Sequence, residues 1–167
     1  MYTKMFSKSI IVGIFIIFSL VGNLNAQSTP VQSIPNFTFY RMNGQAFSKK
    51  DLTKDKKIVM VFFDITCDHC QQELKALSGN FDKFKKAEFY LVSLDEVAGI
   101  KGFVSKYAPK MSAKPNVTLL RDFNREFIIK FLPVQYPAMY VFSPKGHLIK
   151  YFGQNSKIKD ILTTVNN

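Results

Sequence analysis

The chain has 167 residues, 47% of them hydrophobic and 21% charged, and a formal net charge of +11 carried by 20 lysines and three arginines against 12 acids. That length suits one domain with a single sizeable core, and the composition excludes an intrinsically disordered chain, a collagen-like repeat and a disulfide-dense miniprotein. Two cysteines and two histidines are too few soft ligands for a protein with several metal sites, and no segment of about 34 to 45 residues repeats, which excludes solenoids and propellers.

Lys4 and Lys8 precede an apolar run from Ile10 to Val21, and a short polar stretch leads to Ala26. A basic start, an apolar middle and a small residue at the end predict a secretory signal peptide over residues 1–26 and a periplasmic protein. The run is shorter than the roughly 20 apolar residues of a membrane span. Leu24 is large for its place ahead of a cleavage site, so an uncleaved N-terminal anchor is the alternative. No cysteine lies near Ala26, which excludes a lipoprotein anchor. Cleavage removes two lysines and no acid, so the remaining chain stays basic. The lysines are scattered, as in Lys54–Lys57, Lys83–Lys86 and Lys157–Lys159. Scattered lysines on an exported chain read as solvated faces, and nucleic acid is not an expected partner.

Residues 27–35 read as an extended lead-in, and residues 36–167 as the folded domain. Phe37–Tyr40 and Ala46–Phe47 flank Asn43-Gly44, a hairpin-type turn because both residues tolerate positive φ. Ile58–Phe63 is a continuous apolar run, as expected of a strand buried on both faces of a parallel or mixed sheet. Cys70, Leu74, Leu77, Phe81 and Phe84 share one helical face, interrupted at Gly79-Asn80. Phe89–Leu94 is a second buried strand. Val97, Ile100, Val104 and Tyr107 mark a second helix, ended by Pro109. Val117–Leu120 is a short strand, and Asp122 can cap a helix through Phe127 and Phe131 that stops before Pro133. Ala138–Phe142 and Leu148–Phe152 are strands joined by a Ser143–Gly146 turn. Ile158, Ile161, Leu162 and Val165 close the chain as a helix. The predicted class is α/β, a central mixed sheet flanked by helices on both faces.

Cys67-Asp68-His69-Cys70 holds both cysteines, between the first buried strand and its helix. As a structural staple the pair is poor, because so short a loop yields roughly 2 kcal/mol in the chain-entropy model. As a redox switch it has a mechanism. Cys67 at a helix N-terminus meets free N–H groups and the positive end of the dipole, which favour a thiolate. Cys70, one turn in and on the apolar face, is the shielded resolving thiol. Zinc is disfavoured, since the whole supply of soft ligands is Cys67, Cys70, His69 and His147.

The chain resembles exported thioredoxin-fold thiol–disulfide reductases of the TlpA/ResA type from about Pro35 to Val165. The resemblance rests on PNFTFYRMNGQAF, IVMVFFDITCDHCQQEL, the helix–strand unit before VTLL, and VQYPAMYVFSPKG. It implies a thioredoxin-like fold with an N-terminal β-hairpin and a central helix–strand insertion. It also places the nucleophile on Cys67, the resolving thiol on Cys70, the helix glutamate on Glu73 and the cis-proline on Pro137. No cofactor is implied. Protein disulfides are the implied substrates, a membrane electron donor of thiol–disulfide type the implied partner, and a monomer the implied state. Four positions depart from the pattern: Thr66 replaces a common tryptophan, His69 a common proline and Asp64 a small residue, and Tyr136 is bulky for the position before the cis-proline. His69 is shared with more oxidising DsbA- and PDI-like relatives.

Two supporting residues have competing readings. Glu73 relays protons to and from Cys70, or simply complements the helix dipole. His69 stabilises the Cys67 thiolate, or is a solvated helix residue, with Asp68 opposing it. Asp64 reads as a strand-end turn residue and His147 as surface. The expected function is an exported reductase of protein disulfides, the alternatives being a DsbA-like oxidant or a copper-binding protein of SCO type. A peroxide-reducing peroxiredoxin would want Thr-x-x-Cys and a nearby arginine, whereas Thr66 directly abuts Cys67.

Overall fold

The computed structural model describes residues 30–167. The signal peptide expected over residues 1–26 lies outside them. Three strands form the parallel centre of the sheet: β3 (Lys57–Phe62), β4 (Ala87–Ser93) and β5 (Val117–Arg121). β6 (Ala138–Phe142) pairs antiparallel with β3, and β7 (Leu148–Phe152) with β6. On the other side the hairpin β1 (Thr38–Arg41) and β2 (Ala46–Ser48) joins through β1 to β5. The spatial order is β2-β1-β5-β4-β3-β6-β7.

Alternation along β3 explains why its apolar run is unbroken. Val59, Val61 and Phe63 face one core with α1 (Asp68–Gly79), α2 (Val97–Tyr107) and α4 (Ile158–Asn166). Ile58, Met60 and Phe62 face the other, with α3 (Glu126–Phe131) and the hairpin. A strand buried on both sides has no polar face to alternate with. The α3 side is filled largely by rings: Phe62 and Phe127 stack at 4.4 Å, Phe127 and Phe131 at 4.3 Å. Offset stacking of this kind adds about 0.5–1.5 kcal/mol per pair beyond burial.

α2 spans the predicted residues, whereas α3 begins only at Glu126, past the predicted cap Asp122, with Arg125 in a left-handed conformation before it. α1 stops at Gly79, and Phe81–Lys83 form a 3₁₀ turn that carries Phe81 and Phe84 on into the core. The Asp122 carboxylate accepts from the backbone N–H groups of Glu126 (2.9 Å) and Phe127 (2.7 Å), capping α3 from outside its first turn.

Two further details differ from expectation. In the hairpin only Gly44 has positive φ (83°), and Gly44 N–H donates to Arg41 O at 2.9 Å. A four-residue turn ending in a left-handed glycine replaces a two-residue turn of two left-handed residues, since only the last position needs glycine's freedom. The described part of the lead-in, from residue 30 on, is tied down. Ile34 N–H donates to Gly146 O and Leu148 N–H to Gln32 O, while the Ile34 side chain is buried. An apolar residue at that point anchors what a polar composition reads as a tail. No helix among the described residues is long and apolar enough to cross a membrane.

Candidate active site

β3 ends where Asp64 turns the chain. Its Oδ1 accepts from Thr66 N–H at 2.7 Å and Thr66 Oγ1 at 2.6 Å, and its carbonyl accepts from Cys67 N–H at 3.3 Å. This side-chain mimic of a turn swings the strand into α1 and puts Cys67 at the N-cap. A second carboxylate holds the loop from the side. Asp95 Oδ2 accepts from Ile65 N–H at 3.1 Å and from the buried Ser93 hydroxyl at 2.7 Å. Ile65 in turn lies over Gly99, where an added Cβ would come within 2.9 Å of its Cδ1. Glycine there lets α2 approach the loop.

The two thiols have unequal surroundings. Cys67 is partly exposed, and its Sγ accepts the Cys70 backbone N–H at 3.3 Å, the helix N-terminus offering a donor to the sulfur. Cys70 is fully buried against Leu74 and Leu77. Burial, and then its hydrogen bond with Cys67, push the Cys70 thiol far up. An accessible sulfur at a helix start is therefore backed by a shielded one that keeps its proton unless a base removes it.

Glu73 lies one turn beyond Cys70 on the buried face of α1 and is only 8% exposed. Its Oε1 is buried without a hydrogen-bond partner, and burial pushes the carboxyl up from 4.5 to about 7. A carboxyl so placed exchanges protons near neutral pH. It borders a cleft of about 320 Å³ whose other walls include His69, Gln72 and Ala76 on α1 and Gln154–Ser156 after β7. His69 is exposed on the rim of this cleft. The hydrogen-bonding partners found for the Cys67 sulfur are instead Cys70 N–H and the Tyr136 carbonyl.

The Tyr136–Pro137 bond is cis, and Pro137 is buried ahead of β6. Tyr136 O lies 4.0 Å from Cys67 Sγ, and the Tyr136 ring packs at 4.9 Å from that of Phe62. The structure thus brings together Cys67, Cys70 and the Tyr136–Pro137 step, with Glu73 one turn further along α1 on the adjoining cleft. His147 stands exposed in the turn ahead of β7. Asp95 and Gln154 were not picked out from sequence, because each comes from a loop whose place beside the cysteines depends on the sheet order. Among the described residues, no three His, Cys, Asp or Glu side chains form a group able to hold a metal ion.

Comparison with known proteins agrees with this architecture. Among solved structures, MTB dsbF, in its mixed oxidized and reduced forms, is 24% identical with a TM-score of 0.64, covering 78% of this chain and 92% of its own. A secreted Mycobacterium tuberculosis disulfide oxidoreductase homologous to E. coli DsbE is 22% identical at a TM-score of 0.62, over 78% and 94% of the two chains. Arabidopsis thaliana ScoI with copper bound is 19% identical at a TM-score of 0.61, over 81% and 99%. Identities this low establish the shared thioredoxin-like fold. No curated protein matches the chain. The model of the AhpC/TSA family matches residues 30–151, well over half of the sequence, and the chain belongs to that thioredoxin-like redox family.

Proposed function

We propose that this protein is an exported thiol–disulfide oxidoreductase that reduces disulfides in other proteins. The observation that carries the reading is the asymmetry of the pair: Cys67 accessible at the α1 N-cap, Cys70 buried behind it, and a buried carboxyl one turn further on. The Cys67 thiolate attacks a substrate disulfide, forming a mixed disulfide and expelling one substrate thiolate, which takes a proton from water. Glu73 as carboxylate removes the Cys70 proton. Cys70 then attacks Cys67 Sγ, the mixed disulfide breaks, and the second substrate sulfur leaves as a thiolate that takes the proton held by Glu73. Two electrons pass from the dithiol to the substrate, and a thiol–disulfide donor at the membrane restores Cys67 and Cys70. Pro137 and Tyr136 present the backbone beside Cys67 on which a substrate segment rests.

Peroxide reduction gains no support from the site. The Thr66 hydroxyl is committed to Asp64 and Thr66 directly precedes Cys67, so the Thr-x-x-Cys arrangement is missing, while Arg121 pairs with Glu96, Arg41 lies over the Phe47 ring and Arg125 acts on Tyr136. The test of the assignment is trapping. Cys70→Ser should accumulate a mixed disulfide between Cys67 and substrate, seen on non-reducing gels and mapped by mass spectrometry, whereas Cys67→Ser should trap nothing. Trapping by the Cys67→Ser protein would reverse the roles.

A further inference from the structure

The Tyr136 carbonyl beside the Cys67 sulfur serves two donors. Tyr136 O stands 4.0 Å from Cys67 Sγ, and the Gln154 amide donates to the same oxygen at 2.8 Å. The loop that presents Gln154 is shaped to do so. Asn155 takes a left-handed conformation (φ 61°), and the Ser156 hydroxyl donates to Gly153 O at 2.8 Å. Gly153 itself lies so close to the Gln135 side chain that a Cβ there would overlap it. Loop 153–156 is thus packed against loop 135–137, with one side-chain hydrogen bond aimed at the oxygen facing the thiol.

We propose that Gln154 is a positioning residue for Cys67, acting through the Tyr136 carbonyl. The inference rests on the reading of Cys67 as the nucleophile. A carbonyl oxygen favours a thiol, whose proton it accepts, over a thiolate, which its negative end repels. An amide N–H on that oxygen occupies part of its accepting capacity and offsets its partial charge, so Gln154 shifts Cys67 toward the thiolate. It also fixes the direction of the carbonyl, which a mobile backbone would otherwise turn onto the sulfur. Asp68, His69 and Glu73 lie with Cys70 in the first turns of α1, and Asp64, Cys70, Asp95 and Arg125 add their charges around Tyr136. All of these are unchanged by a substitution at position 154.

The test compares wild-type protein with Gln154→Met, which keeps the length of the side chain and loses the donor. Alkylation of Cys67 in the reduced full-length protein is followed with iodoacetamide between about pH 5 and 9, the modified peptide being quantified by mass spectrometry. Below the midpoint of the profile, Gln154→Met should react about three- to tenfold more slowly, the factor equivalent to one neutral hydrogen bond. The whole profile should move to higher pH with the same plateau at the alkaline end. Loss of packing alone would change the plateau or the unfolding midpoint and leave the profile in place. A profile that does not move overturns the inference. Failure of the underlying reading shows separately, as full disulfide-reducing activity in Cys67→Ser.

Discussion

Replacing Glu73 by glutamine tests whether an uncompensated carboxyl sits behind the cysteine pair. In the folded protein burial raises this group from 4.5 to about 7, and its Oε1 has no partner. Between those two values the native state holds a proton that the unfolded chain has released, so stability falls as pH rises through the window. Below about pH 4.5 both states are protonated and the penalty is absent; above about pH 7 it is present in full. A shift of about 2.5 units at 1.36 kcal/mol each corresponds to about 3 kcal/mol. Glutamine never ionises, and its buried amide adds only a pH-independent offset of about 1–3 kcal/mol. Urea unfolding of both proteins at several pH values, in the Cys67–Cys70 disulfide form so that thiol titration drops out, reads the difference directly. The gap between Glu73→Gln and wild type should move by about 2.5 kcal/mol in favour of the variant from pH 5 to pH 9, part of the penalty being present already at pH 5. Asp122, whose carboxyl burial also pushes up, is common to both proteins and cancels. A gap independent of pH would refute the reasoning. In the same pair of proteins, attack by Cys70 on a preformed mixed disulfide should slow about 10²-fold when the base is lost.

Other outcomes follow from the same arrangement. His69→Pro removes an imidazole from the first turn of α1, and because His69 is exposed the effect is small: the Cys67–Cys70 potential should fall by roughly 30 mV, about 1.4 kcal/mol for two electrons, measured against a glutathione series by thiol alkylation. No change would reduce His69 to a solvated residue on the cleft rim. Mass spectrometry of the exported protein should find Gln27 at the N-terminus, whereas an intact Met1 in the membrane fraction would establish an anchored form.

The sheet was legible in the sequence because its central strands are buried on both faces. IVMVFF and FYLV are continuous apolar runs bounded by polar or charged residues, and such runs have few alternatives. The cysteine pair was legible because a helix start follows directly on one of those strands. Glu73 could be placed on the border of the buried face by its spacing from Cys70, but its lack of a partner could not be read. That property depends on what the β7–α4 loop supplies, and Gln154 instead hydrogen-bonds Tyr136. The anchoring of Ile34 beneath Gly146 was missed for a similar reason, since a short stretch with Ser33 and Pro35 has no periodicity to reveal its partner strand. His69 drew attention by its neighbours in sequence, whereas in space it borders the Glu73 cleft. Local pattern located the elements; contacts between loops distant in sequence decided the surroundings of each reactive group.

The reduction potential of the Cys67–Cys70 couple tests the central claim most directly. The protein, equilibrated with glutathione and with dithiothreitol buffers and quenched by alkylation, should interconvert between dithiol and disulfide in one two-electron step. A reductase of protein disulfides requires a value on the reducing side of about −200 mV. A value near −120 mV would make the protein a disulfide-forming oxidant, and failure of Cys67 and Cys70 to pair at any potential would contradict thiol–disulfide exchange altogether.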